Sequence, residues 1–208
     1  MHIEKLSLGP LGTNCYILYQ QEKALIIDPG GDPEELVSWI EDKHLKPLAV
    51  LLTHAHFDHI GAVDVVRDRF NISVYVHEEE ADWLPNPNLN GSSLFQSEPI
   101  SARRADEFIG KGNKQIGGFE FEVRETPGHS PGGVSFVFHH DSFVISGDTL
   151  FQAGIGRTDL PGGDYDILLN SIKTELYTLA DDYKVYPGHG GPTSIGIEKK
   201  SNPFIKQG

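Results

Sequence analysis

The stretch PLAVLLTHAHFDHIGAVDVV, residues 47–66, limits the possible folds more than any other part of the chain. Its continuous apolar run reads as a strand buried on both faces. The run passes without a spacer into three histidines and an aspartate, His54, His56, Asp58 and His59, and a helical pattern follows from Gly61. Reactive groups sit well at such a strand end, because the sheet is rigid and the loop is free to aim them. With residues 53–58 extended, His54, His56 and Asp58 point the same way by the period-two rule, and His59 falls near the helix start. Two imidazoles can then grip one ion while Asp58 and His59 face a second position. Nitrogen and carboxylate donors without cysteine suit Zn²⁺, Mn²⁺ or Fe²⁺.

The rest of the chain repeats this theme. HIEKLSL, NCYILY and ALIIDPGG read as early strands, the last stopped by Pro29-Gly30-Gly31. DPEELVSWIEDKHL reads as a helix with Asp32 as N-cap and Pro33 at the first helical position. ISVYVH is a strand and EEEADWL a short acidic helix, and residues 84–104 are expected as a long surface excursion rich in Pro, Asn and Ser. FEFEVRET, VSFVFHH and SFVISGD read as strands, YDILLNSIKTELYTL as an amphipathic helix and KVYPGH as a last strand. Strand and helix alternate in both halves, so two mixed sheets with helices outside them satisfy the pattern. At 208 residues the expectation is a single domain spanning 1–208.

Three further polar residues follow apolar strands beside glycine, where the backbone can turn sharply and come close to an ion: His129, Asp148 and His189. Thirty acidic against 17 basic residues give a net charge of −13, which argues against a nucleic-acid surface. No apolar run approaches the ~20 residues of a membrane span, and the start MHIEKLSLGPLGTNCY lacks a secretory pattern. The expectation is a cytoplasmic enzyme with no membrane or nucleic-acid partner. The single cysteine, Cys15, cannot form an internal disulfide and reads as a buried structural thiol.

THAHFDH, PGHSPG, SGDTLF and YPGH, in this order over essentially the whole chain, resemble the metallo-β-lactamase superfamily. The resemblance implies an αββα sandwich of two mixed sheets with helices on the outer faces and a metal site at one sheet edge. It implies two divalent ions, zinc first with iron or manganese as alternatives. His54, His56 and His129 would hold one ion, Asp58, His59 and His189 the other, and Asp148 would bridge them. Asp28, in IIDPGG, would support the metal loops from behind.

TNCYIL, GDTLF, GIGRTDLPGGD and EKKSNPF narrow the resemblance to glyoxalase II, the hydroxyacylglutathione hydrolases, and their short bacterial relatives. That implies hydrolysis of a small thioester such as S-lactoylglutathione by a metal-bridging hydroxide, with Asp58 to orient the parent water or take its proton. Arg157 and Asp159 fall in the segment that contacts substrate in those relatives, without their aromatic residue at the third position. Gly191 stands where they carry a tyrosine, and the longer C-terminal helical region is expected to be absent. The chain also resembles persulfide dioxygenases, which implies a rival reading with one iron on His54, His129 and Asp148.

Overall fold

The N-terminal residues His2–Leu8 (β1) pair antiparallel with Thr13–Gln20 (β2), which pairs antiparallel with Lys23–Ile27 (β3). In the computed structural model, which describes residues 1–205, the chain divides into two compact units. The first holds Met1–Ile109 with Ile116–Gly118, and the second holds Gly110–Gln115 with the described residues from Phe119 onward.

In the first unit β3 leads through helix α1 (Pro33–Asp42) to β4 (Lys46–Leu51), which lies parallel to it. Helices α2 (Phe57–Ile60) and α3 (Val63–Phe70) follow, then β5 (Ser73–Val76), α4 (Ser92–Phe95) and β6 (Glu107–Phe108). The sheet runs β1-β2-β3-β4-β5-β6, antiparallel at its start and parallel from β3 on. Leu25, Ile26, Ile27, Ala49, Val50 and Leu51 are fully buried, as central strands covered on both faces require. Leu36 and Ile40, one turn apart on α1, join Val63 and Val66 of α3 in the core over this sheet.

The second unit contains β7 (Gly112–Ile116) except its last residue, β8 (Phe119–Glu125), β9 (Val134–Phe138) and β10 (Phe143–Gly147). A hairpin of β11 (Leu150–Phe151) and β12 (Gly154–Ile155) follows, then α5 (Tyr165–Ser171), β13 (Lys184–Pro187), β14 (Thr193–Ser194) and α6 (Ile195–Ser201). The six-stranded sheet runs β14-β13-β10-β9-β8-β7. Leu168, Ile172 and Leu176, at helical spacing, pack with Val144, Val185 and Ile195 in its core.

The expected class, two mixed sheets with flanking helices, is what the chain forms. Topology then decides where the polar loops emerge. Because β3 and β4 are parallel, Asp28 and the His54–His59 segment leave the first sheet at one edge. In the second, β10 and β13 are parallel, and β8 runs with them since both β8 and β10 oppose β9. His129, Asp148 and His189 therefore leave that sheet at a single edge.

Several local expectations need correction. Residues 53–58 stay extended only to His56, whose φ of −66° and ψ of 149° precede α2, so Asp58 lies in a helical turn. Asp32 is no side-chain cap: its φ is 45°, and its Oδ2 accepts a hydrogen bond from Gly9 N at 2.7 Å. The acidic helix shrinks to a 3₁₀ turn, Glu78–Glu80, with Glu80 fully buried. Residues 84–104 carry α4 and are tied down inside: Asn90 Nδ2 donates to Ile100 O, and Ser92 Oγ and Ile100 bond each other both ways. The YDILL helix ends in a π-helical stretch, Ile172–Leu176, where Tyr177 N donates to Ile172 O at 2.8 Å.

Both units bring a glycine against an aspartate carbonyl. A Cβ on Gly30 would overlap Asp58 O and come within 3.1 Å of Thr13 Cβ. A Cβ on Gly156 would overlap Asp148 O and come within 3.1 Å of His129 Cβ. Main-chain atoms cannot step aside as a side-chain end can. Gly30→Ala is expected to cost about 3 kcal/mol and lower Tm by roughly 6–12 °C in a thermal melt. Gly110→Ala, whose Cβ meets only Glu125 Oε1 at 3.9 Å, should stay near wild type. Equal melts for the two variants would disprove the contact argument.

Candidate metal centre

The first unit builds its polar cluster around a buried carboxylate. Asp28 sits just past β3 in a left-handed conformation, φ 52°, and its N–H donates to Leu51 O across the parallel pair. Its Oδ1 accepts from Thr53 N at 2.8 Å, and its Oδ2 accepts from Thr53 Oγ1 at 2.6 Å. The same Oδ2 lies 3.0 Å from His59 Nδ1. Thr53 spends its one hydroxyl proton on Asp28, so its oxygen remains as acceptor for His54 Nδ1 at 3.1 Å. One carboxylate thus sets two rings: His59 directly and His54 through Thr53. Each is held as the Nδ1–H tautomer, which leaves Nε2 as a lone-pair donor atom, the arrangement metal-binding histidines adopt.

Around these two rings the donors crowd. His54 stands 4.8 Å from His56, ring centroid to centroid at 90°, and 4.1 Å from His59. Asp58 Oδ2 is 3.6 Å from His59 Nε2 and accepts from Thr13 Oγ1 at 2.9 Å. All four residues are buried. Glu80 accepts a hydrogen bond from Ala55 N, between His54 and His56, and Trp83 packs on the His56 ring at 5.5 Å. Thr13, Glu80 and Trp83 were not singled out by sequence, because each supports the cluster from another segment of the chain, and Thr53 entered only as the first residue of the THAHFDH motif.

The second unit builds a smaller cluster. Asp148 Oδ2 stands 3.6 Å from both His129 Nε2 and His189 Nε2. His129 Nδ1 lies 2.7 Å from the Arg157 carbonyl, an acceptor only, so this ring too carries its proton on Nδ1. The Phe151 ring meets His189 edge-on at 6.4 Å. Two atoms bound to one tetrahedral ion at metal–ligand lengths near 2.1 Å stand about 3.4 Å apart. The repeated 3.6 Å N···O separations, too long for good hydrogen bonds, therefore fit shared ions.

The Arg157 side chain is engaged elsewhere. Its Nε and Nη2 donate to Asp159 Oδ1 and Oδ2 at 2.7 and 2.8 Å, and this fork holds the Asp159 carboxyl down to about 2. Cys15 is fully buried, and burial, reinforced by the Asp28 charge, pushes its thiol well above the usual range. It stays a neutral core residue, not a nucleophile. No helix among the described residues is long and apolar enough to cross a membrane.

A family profile described as Metallo-beta-lactamase superfamily matches residues 8–189. Among curated relatives, the "Probable metallo-hydrolase YqgX" of Bacillus subtilis is 47% identical over 206 residues, covering 99% of this chain and 98% of its own. The "Hydroxyacylglutathione hydrolase GloC" of Haemophilus influenzae is 39% identical over 208 residues, covering 99% and 98%. Among solved structures, the BLEG-1 B3 metallo-beta-lactamase superposes with a TM-score of 0.97 at 49% identity, covering 99% of this chain and all of that one. TTHA1623 in a di-iron-bound form superposes at 0.88 with 38% identity, covering 97% of this chain and all of that one. The chain belongs to the metallo-β-lactamase superfamily, as a metallo-hydrolase with His and Asp groups able to hold metal.

Proposed function

We propose that the chain is a thioesterase that hydrolyses 2-hydroxyacyl thioesters such as S-lactoylglutathione with two divalent ions. The observation that carries the reading is the donor geometry: imidazole Nε2 and carboxylate oxygens 3.6 Å apart in both units, with Nδ1 fixed behind His54, His59 and His129. Similarity to a hydroxyacylglutathione hydrolase over nearly the full length supports the choice of substrate. In this reading residues 1–208 work as one domain in the cytoplasm. His54, His56 and His129 hold one ion, Asp58, His59 and His189 the other, and Asp148 serves both. Zinc fits this nitrogen and carboxylate set, and iron is the alternative that the di-iron form of TTHA1623 supports.

Such ions, when bound, supply a hydroxide-strength nucleophile at neutral pH and take up charge on a carbonyl oxygen. The protein's own groups do the rest. Asp28 and Thr53 hold two rings in place, so little reorganisation is left for the reaction itself. Thr13 fixes the plane of the Asp58 carboxylate, the group placed to orient water or accept its proton. No serine or cysteine nucleophile enters.

Metal content tests the ligand set. Elemental analysis of the purified protein should find close to two ions per chain. Asp58→Ala should keep one of them and a native circular dichroism spectrum, while turnover falls at least a hundredfold. One iron per chain, with O₂ consumed on a persulfide, would replace this reading by the dioxygenase one.

Substrate preference tests the chemistry. Where relatives carry a tyrosine the chain offers only the Gly191 backbone, and the Arg157 guanidinium is already taken by Asp159. Little is therefore left to grip the distant arms of glutathione, and remote contacts of that kind provide orientation and specificity. S-lactoylglutathione should be cleaved, with kcat/KM within about tenfold for the same acyl group on a truncated thiol. A loss of about a hundredfold, ~2.7 kcal/mol, would reveal a built glutathione pocket. A chromogenic cephalosporin cleaved faster than any thioester would move the assignment to the lactamase activity named for BLEG-1.

A further inference from the structure

The second unit carries a buried carboxylate with no part in the chemistry above. Glu198, on α6, is fully buried. Its Oε1 accepts from Thr193 Oγ1 at 2.6 Å, and its Oε2 accepts from Asn202 Nδ2 at 2.8 Å and from Ala153 N at 3.0 Å. Asn202, also buried, sends its Nδ2 to Gly154 O at 3.0 Å as well. Two side chains one helical turn apart thus bond both main-chain groups at the tip of the β11–β12 hairpin. Ala153 has a φ of 54°, a left-handed conformation that an alanine keeps only where its surroundings impose it.

The hairpin leads from one end of the second cluster to the other. It begins after Asp148 and closes where Gly156 N donates to Thr149 O at 3.3 Å, beside the Asp148 carbonyl. The next residue is Arg157, whose carbonyl orients His129. Its Phe151 ring meets His189. Any shift of the tip therefore moves the Asp148 backbone, the acceptor behind His129 and the ring against His189 together. A carboxylate with three donors is a stiff anchor, because buried charge is costly unless it is hydrogen-bonded.

The geometry points to Glu198 and Asn202 as positioning residues: they register the β11–β12 hairpin so that His129, Asp148 and His189 stand ready to take metal. The inference rests on the ligand assignment proposed above. It acts through those three residues, so Glu198 and Asn202 themselves touch no ion and no substrate.

The test uses the full-length chain and Zn²⁺ alone, in competition with a chromophoric chelator, with thermal melts of the metal-free and the loaded protein. Glu198→Ala and Asn202→Ala should each weaken Zn²⁺ binding by about tenfold or more, in the range known for supports behind metal ligands. Glu198→Gln, which keeps an acceptor oxygen, should fall between wild type and Glu198→Ala. The gap in Tm between loaded and metal-free protein should narrow in the same order. Should Glu198→Ala fail to fold, Asn202→Ala decides alone. Lower melting in both states with wild-type Zn²⁺ affinity would make the pair merely structural and overturn the inference, while leaving the ligand assignment standing. A wild-type chain that binds no Zn²⁺ would sink both.

Discussion

The first cluster depends on one buried negative charge being fully met. Asp28 is 1% exposed, and its charge is held there by three donors, Thr53 N, Thr53 Oγ1 and His59 Nδ1. A carboxylate so placed cannot give up its donors cheaply. It therefore dictates where the chain after β4 must pass and which nitrogen of two imidazoles carries the proton. The apolar strands β3 and β4 supply the rigid parallel frame, and Asp28 converts that frame into ring orientation.

Steric closeness completes what hydrogen bonding begins. Gly30 lies against Asp58 O and Gly61 against Gly30 O, so the α2 turn is wedged onto the end of β3. Gly156 repeats the contact on Asp148 in the second unit. Each unit thus fixes an aspartate by its own backbone, while the side chain faces imidazole. Glycine at these positions is required by the space available, since neither Gly30 nor Gly156 has a positive φ.

The strands were legible because continuous apolar runs have few alternatives, and the polar residues at their ends were legible because each interrupts such a run. His54, His56, Asp58 and His59, named on spacing, cluster in the first unit, and His129, Asp148 and His189, named at strand ends, in the second, whereas Asp28 was supplied only by the family resemblance. What sequence did not disclose rests on distant contacts. The turn that carries Asp58 into a helix depends on Phe57 N reaching Asn90 O, 33 positions along the numbering, at 3.0 Å. Glu80 read as part of a short acidic helix and is buried, because its carboxylate serves the Ala55 amide. Helix α6 passed unread: seven residues give little periodicity, and its stability comes from the Ser194 cap and the Glu198 network.

The distance along the chain between the hairpin and its anchor has a consequence for biosynthesis. Ala153 and Glu198 are 45 positions apart, and Gly154 and Asn202 are 48 apart. A ribosome adding ~5–20 residues per second leaves the hairpin without its partners for roughly two to nine seconds. During that interval the first unit, including Asp28 and its two rings, is already complete in sequence. Its half of the donors can form while Ala153 has nothing to hold it left-handed. The first cluster is therefore complete in sequence before the turn of α6 that carries Glu198 and Asn202 has been made, and the hairpin gains its hydrogen bonds only then.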